Sequence, residues 1–387
     1  MLIRRLELKN WRNFKSANVA LRERAYIIGP NASGKSNLLD VFRFLRDVAR
    51  PDGGGLQKSV KDRGGIAKLR CLMARKDPEI LIEVDIADEV DAQPAWRYAL
   101  AFKSEGKGLH RVLVSRERVE DLRTGKVLVD RPDSEDQKDP DRLTQTYLEQ
   151  IGTNREFRDV ATFFASITYL HLVPQLLKHA DQLGGYRLES DPFGQAFLER
   201  IARTPERTRT ARLARIEEVL KVCVPNMINL QFVKDPSTGA PHLEALYKHW
   251  RPDAGWQRED QFSDGTLRLL GIMWSLLEGD SLLLLEEPEL SLNEDIVRRI
   301  HPLIWQMQRQ AKYRRQVFIT THSEALLQDT GIDAREVVRL EPTPDGTNVL
   351  EASDEDKALI AAGYSIAEAV LPKVKPANVD QLALFEP

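Results

Sequence analysis

The segment Gly29-Pro30-Asn31-Ala32-Ser33-Gly34-Lys35-Ser36 constrains this chain more than any other, because it satisfies Gly-x-x-x-x-Gly-Lys-[Ser/Thr] in full. It follows an apolar run, Ala25-Tyr26-Ile27-Ile28, and precedes a stretch from about Lys35 to Val48 in which Leu38, Leu39, Phe42 and Leu45 share a helical face. Strand, glycine turn and helix form the context in which backbone N–H groups wrap a phosphate, helped by the positive end of the helix dipole. Gly29 and Gly34 permit the tight turn, and Asn31, Ala32, Ser33 and Asn37 line it as candidate contacts. Lys35 is expected to bridge β- and γ-phosphates, and the Ser36 hydroxyl to ligate Mg²⁺.

Three further segments carry chemistry. Leu282-Leu283-Leu284-Leu285-Glu286-Glu287-Pro288-Glu289 reads as a buried parallel strand that delivers carboxylates at its C-terminal end. Glu286 would sit by the Mg²⁺ and its waters, and Glu287 would polarise an attacking water as general base. Gln316-Val317-Phe318-Ile319-Thr320-Thr321-His322-Ser323 is a second buried-looking strand, and His322 at its end would donate to a γ-phosphate oxygen. Phe262-Ser263-Asp264-Gly265-Thr266-Leu267-Arg268 begins a helix. There Ser263 or Asp264 is an adequate N-cap, and the free N–H groups around Gly265 also suit a phosphate offered by a second subunit.

Composition narrows the class. Lysine plus arginine total 56 and aspartate plus glutamate 59, so the formal net charge is −3 and the chain is no strongly basic nucleic-acid binder. With 42 % hydrophobic and 30 % charged residues it can bury a core. No apolar run approaches the roughly 20 residues needed to span a bilayer. Arg4, Arg5, Glu7 and Lys9 exclude a secretory h-region at the start. Cys71 and Cys223 are the only cysteines, which argues for a reducing compartment without a disulfide framework. The expected location is cytoplasmic.

Along the chain, Leu2 to Leu8 reads as a strand, Asn10 to Ser16 as a turn, and residues 51 to 65 as a mobile glycine-rich surface loop. Period-two patterning from Glu79 to about Asp130 predicts an antiparallel meander. Asp130 to Asp141, with six acidic residues and two prolines, reads as a solvated linker. Helical periodicity then runs to about Val222, broken by a strand at Ile167 to Val173, and a hairpin follows over Ile228 to Trp250. From Ser263 onward helices and strands alternate as a parallel sheet requires. These divisions set expected domains at 1–130, 131–225, 226–350 and 351–387.

The four motifs in this order resemble the ABC-type ATPases, in particular the OLD/RecF/SMC-like branch of AAA ATPases. The likeness also includes the opening Asn10-Trp11-Arg12-Asn13-Phe14 and a D-loop near Leu290 to Asn293. It implies an α/β fold: an ABC-type P-loop NTPase head with a mixed or parallel core sheet, an antiparallel β subdomain and a compact helical insertion. It implies ATP and Mg²⁺ as ligands, Arg12 as an early arginine approaching the nucleotide, and a homodimer in which each Ser263–Gly265 loop closes on the partner's ATP. Three departures stand out: Glu286 where most relatives carry aspartate, Ser-Asp-Gly-Thr for the signature, and Asn293 in the D-loop. Gln175, after the Ile167 to Val173 strand, is the candidate Q-loop ligand to the metal.

No nuclease constellation is visible, so an effector is expected on a separate protein. The expected setting is phage defence. The alternatives are a RecF-like repair ATPase associated with the sliding clamp and a nucleotide-gated scaffold with little hydrolysis. Arg203, Arg207, Arg209, Arg212 and Arg215 form the most basic segment of the insertion and read either as a solvated helix face or as a DNA phosphate contact. Gln381-Leu382-Ala383-Leu384-Phe385 resembles the Gln-Leu-x-Leu-Phe peptide that binds the bacterial sliding clamp, or else packs on the protein's own surface.

Overall fold

Alternating burial along five of the first seven strands dictates the first sheet. In the Ile80–Ala87 strand, Ile80, Ile82, Val84 and Ile86 are completely buried, the period-two signature of one face turned to a core. The computed structural model describes residues 1–74, 77–90, 92–106, 111–179, 193–251, 255–310 and 315–374. The chain divides into two units, one of Met1–Ile167 with Gln316–Pro387, the other of Thr168–Arg315.

The first unit contains a six-stranded antiparallel sheet. Its strands run in the order Phe14–Ala20, Leu2–Trp11, Ile80–Ala87, Trp96–Ser104, Val112–Asp121 and Lys126–Arg131. The expected meander is present. A second group of strands centres on Arg24–Ile28, which pairs in parallel with Val317–Thr321 on one side and Val337–Thr343 on the other. Gly346–Glu351 adds an antiparallel edge. The Lys35–Ala49 helix buries Leu38, Leu39, Phe42 and Leu45. Phe42 meets Phe318 with ring centroids 5.1 Å apart, and Phe44 lies 5.2 Å from Trp11 and 5.3 Å from Phe102. This one helix therefore ties both groups of strands into a single apolar core.

In the second unit, Leu283–Glu286 pairs in parallel with Thr168–Leu170. The helices Glu206–Cys223 and Asp264–Leu277 pack together, and a three-stranded antiparallel sheet holds Met227–Lys234, Pro241–Tyr247 and Trp256–Arg258. Among the described residues, no helix is long and apolar enough to cross a membrane.

Several sequence expectations change here. Residues 51 to 65 are no simple mobile loop: Leu56–Asp62 is a helix with Leu56, Ser59 and Val60 buried. The acidic stretch from Asp130 to Asp141 is mostly exposed, as expected of a solvated linker or loop, but Arg131 and Asp136 within it are buried. Arg131, 2 % exposed, donates to Asp136 at 2.8 Å and Glu117 at 3.1 Å, and those carboxylates are equally buried. Val317–Thr321 and Val337–Thr343 return to flank Arg24–Ile28, so the first unit is built from both ends of the chain. Gln381 to Phe385 lies outside the described residues.

Glu149 gives this unit a pH dependence. Its carboxylate accepts from the Leu56 backbone N–H at 2.6 Å and from that of Thr146 at 3.1 Å. Burial nevertheless pushes its pKa up to about 7, and the nearby Glu117 charge adds to the rise. A carboxyl raised in the folded state contributes stability below its ordinary value of 4.5, and that contribution is lost as pH climbs through about 7. Glu149→Gln keeps a carbonyl acceptor and removes the buried charge. The variant should therefore gain about 1–3 kcal/mol on the parent between pH 5 and pH 8 in urea titrations. An equal stability difference at both pH values would refute this.

Candidate functional site

The glycine turn is where sequence leaves the backbone least choice. Ile28 ends its strand opposite Thr321 and Arg339 on the two flanking strands, so the Gly29–Gly34 loop and His322 leave the sheet at the same edge. Ala32 stands at φ 61° and Gly34 at φ 97°, both left-handed. Gly34 is the N-cap of the 15-residue Lys35–Ala49 helix, and no side chain caps that helix.

Both glycines of the turn are closely packed. A Cβ at Gly29 would lie 2.6 Å from Ser33 Oγ and 2.9 Å from the Leu340 carbonyl. One at Gly34 would lie 2.6 Å from Asn13 Oδ1. Lys35, 7 % exposed, donates from Nζ to the carbonyls of Gly29 at 2.9 Å and Pro30 at 3.2 Å. Ser33 Oγ is buried and has no hydrogen-bond partner among the described residues. Asn31, Ala32 and Ser36 are exposed on the turn, and Asn37 donates from Nδ2 to Asn13 Oδ1 at 2.7 Å. A helix start without a side-chain cap, a buried hydroxyl and an ammonium resting on its own loop fit a polyphosphate.

Arg12 lies beside this turn at φ 50°. Its guanidinium donates to Asp40 at 2.5 Å, on the helix that follows the loop. Burial works against the Asp40 charge, yet Arg63, Arg43 and Arg12 together hold its carboxyl below the ordinary value. His322 is exposed, and Ser323 after it caps the next short helix by accepting from the Leu326 N–H.

The second unit carries the other predicted residues. Glu286 ends the Leu283–Glu286 strand, and its carboxylate accepts from the Tyr169 hydroxyl at 2.5 Å. Glu287 follows at φ 44°, a left-handed conformation that costs a non-glycine residue energy and marks functional sites. Ser263 caps the Asp264–Leu277 helix, its Oγ accepting from the Thr266 N–H at 3.1 Å. Gly265 lies so close to the D-loop that a Cβ would come within 2.7 Å of the Ser291 carbonyl.

Gln175, just after the Thr168–Leu170 strand, reaches the Ser263–Gly265 segment. Its amide donates to Asp264 at 2.5 Å, beside Lys178 Nζ at 2.7 Å on the same carboxylate. The Lys178 bond holds Asp264 below the ordinary carboxylate value. Gln175 thus braces the Ser263–Gly265 segment through its Nε2. Lys178, unmarked by any motif, was missed for that reason. Among the described residues no cluster of three or more His, Cys, Asp or Glu side chains is arranged to hold a metal.

The basic segment divides. Arg209 packs over Phe232 at 4.1 Å and donates to the carbonyls of Ala202 and Thr204, while Arg212 lies over Trp274 at 5.3 Å. Arg203, Arg207 and Arg215 are exposed.

Comparison with known proteins agrees with the sequence motifs and the fold. The model of the family described as "AAA domain, putative AbiEii toxin, Type IV TA system" matches residues 25–328. The structure is similar to an SMC head bound to the C-winged helix domain of ScpA, with a TM-score of 0.57 and 15 % identity over 92 % of this chain and 99 % of that one. It is also similar to a Smc head with an extended coiled coil, bound to the C-terminal domain of ScpA and derived from Pyrococcus furiosus. There the TM-score is 0.54 and the identity 14 %, over 93 % of this chain and 98 % of that one. No curated protein matches the sequence.

The Gly34 geometry sets a test that needs no ligand. Gly34→Ala forces a Cβ into a left-handed residue and against the Asn13 carboxamide. The substitution should cost about 2–4 kcal/mol in urea unfolding without nucleotide, from left-handed strain and overpacking together. A loss below about 0.5 kcal/mol would show that the turn relaxes freely.

Proposed function

Because the chain belongs to this AAA-domain family, whose model spans residues 25–328, we propose that it binds and hydrolyses MgATP as an ABC-type switch of the OLD/RecF/SMC-like branch. The observation that carries the reading is the uncapped, left-handed turn at Gly34 with Lys35 Nζ lying on the loop carbonyls. On binding, Lys35 exchanges those carbonyls for β- and γ-phosphate oxygens, and the helix N–H groups complete the cradle. Ser36 and Glu286 are the residues that would hold Mg²⁺, which when bound neutralises phosphate charge. Glu287 takes a proton from the attacking water, and His322 donates to the γ-phosphate.

In this reading ATP also closes a homodimer, with Ser263, Asp264 and Gly265 of one chain meeting the nucleotide held by the other. The family description names a "putative AbiEii toxin" of a toxin–antitoxin system; the role proposed alongside it is cytoplasmic phage defence, with the effector on a separate protein. The SMC heads similar in fold are bound to ScpA domains, which supports a head that recruits partner proteins. Binding of DNA would fall to Arg203, Arg207 and Arg215, since Arg209 and Arg212 are committed to aromatic rings. Replacing those three by alanine should lower the slope of log affinity against log salt by about 0.9 for each phosphate that is no longer neutralised. An unchanged slope would remove the insertion from DNA binding.

Two substitutions separate binding from hydrolysis. Lys35→Ala should weaken ATP binding by about 10- to 100-fold, the value of charge-assisted hydrogen bonds to phosphate. Glu287→Gln should bind ATP normally, elute as a dimer with it on size exclusion, and turn over about 10²- to 10⁴-fold more slowly. Undiminished turnover by the Glu287 variant would reject it as the general base.

A further inference from the structure

The side chain that shapes the phosphate turn lies outside the Gly29–Ser36 motif, on the hairpin between the first two strands. Asn13 Nδ2 donates to the Ser33 carbonyl at 2.9 Å and to Thr347 Oγ1 at 2.8 Å. Its Oδ1 accepts from Asn37 Nδ2 at 2.7 Å, and its backbone carbonyl accepts from the Thr347 N–H at 2.8 Å. Trp11 adds a strut by donating from its indole N–H to the Asn37 carbonyl at 2.9 Å. One carboxamide thus joins the last peptide of the turn, the first turn of the following helix, and the edge strand Gly346–Glu351. The fit is close on both sides. Gly34 must lack a side chain because Asn13 occupies its place, and Gly346, at φ 120°, would bring a Cβ within 2.8 Å of the Asn13 carbonyl.

The direction of these bonds matters for a phosphate. The peptide joining Ser33 to Gly34 has two orientations. One turns the Gly34 N–H toward the cradle and the Ser33 carbonyl outward, and the other reverses them. A carbonyl turned inward would oppose an anion and remove a donor. We infer that Asn13 is a positioning residue for the nucleotide: by holding the Ser33 carbonyl outward, it keeps the Gly34 N–H and the helix start turned toward the phosphates. The inference rests on the nucleotide-binding reading above. It assigns Asn13 no contact with ATP. Its effect is on affinity, because the loop cradles ground state and transition state alike.

Steady-state kinetics and calorimetric titration with MgATP test this, run well below the melting temperature of each variant. Asn13→Ala should raise Kd and KM about tenfold with kcat within about twofold. A merely destabilised protein behaves differently, losing apparent kcat through fewer folded molecules at unchanged KM. That pattern, or unchanged Kd and KM, would overturn the inference. Should the alanine variant fold poorly, Asn13→Asp isolates the hydrogen bond at Ser33. It keeps the acceptor for Asn37, can accept from the Thr347 hydroxyl, and sets an oxygen against the Ser33 carbonyl. Its Kd and KM should rise at least as much as those of the alanine variant. The ratio to the parent should persist in 1 M salt, where the Debye length is about 3 Å and a through-space charge effect would fade. A ratio that collapses to one in salt would count against a displaced loop. Lys35→Ala serves as the control for the underlying reading. If the parent and Lys35→Ala bind MgATP equally or not at all, nucleotide binding itself fails and the inference falls with it. If Lys35→Ala loses binding while both Asn13 variants keep it, only the inference on Asn13 fails.

Discussion

A buried helix start without a side-chain cap is the constraint on which the first unit depends. Most helices satisfy their first N–H groups with a serine, threonine or aspartate, and three helices of this chain do so through capping boxes at Asp133, Ser353 and Ser365. The Lys35–Ala49 helix has Gly34 in that place instead, in a left-handed conformation. Left alone, such an end would fray or recruit a cap. Here it is fixed because two parallel strands end in register at Ile28 and Thr321 and because Asn13, Leu340 and Lys35 fill the surrounding space. The fold thus keeps a polar helix start uncapped by any side chain.

Behind the turn, charge is buried in quantity, and its arrangement resists simplification. Asp40 receives Arg12 and Arg63, while Asp47 receives Arg46 and Arg63. Asp40 lies one helical turn beyond Ser36 on the same helix, so the ion pairs anchor the element that presents the cradle. Such pairs add little net stability over apolar packing, but removing one partner strands the other at a cost of about 3–5 kcal/mol. Arg12 therefore has a structural post, and any approach to a nucleotide must be made from that post or at the expense of Asp40. The second unit solves a similar problem differently. Arg315, 2 % exposed, donates to the carbonyls of Ser275, Glu278 and Ser281 and so closes the end of the Asp264–Leu277 helix.

Local patterns were legible in the sequence because their physics is local. The strand–turn–helix at Gly29–Ser36, the period-two meander and the four-leucine strand before Glu286 all depend on neighbours within ten residues. What stayed hidden depends on distant partners. The acidic stretch after Asp130 looks wholly solvated until Glu117, on another strand, is seen to share Arg131 with Asp136. The glycines around residues 53 to 65 mask a helix, because burial of Leu56 and Val60 outweighs the turn-forming composition around them. Gln175 could be placed after a strand but not given a partner, since its distance in sequence from Asp264 carries no signal. Asn13 was passed over for the same reason, lying in a turn that reads as ordinary until Ser33, Asn37 and Thr347 converge on it.

In the second unit the residues proposed for chemistry are mechanically joined. Gly265 and the Ser291 carbonyl are too close to admit a methyl group, so the start of the signature helix cannot shift toward the D-loop without moving it. The D-loop is continuous with Glu287, which is already held in a strained left-handed conformation. Arg268, one helical turn after Asp264, is partly buried, and the charges of Asp264, Glu289 and Glu287 oppose the desolvation that lowers its pKa. A push on the helix start would therefore be felt at Glu287 through two routes, contact along the backbone and the field of one guanidinium.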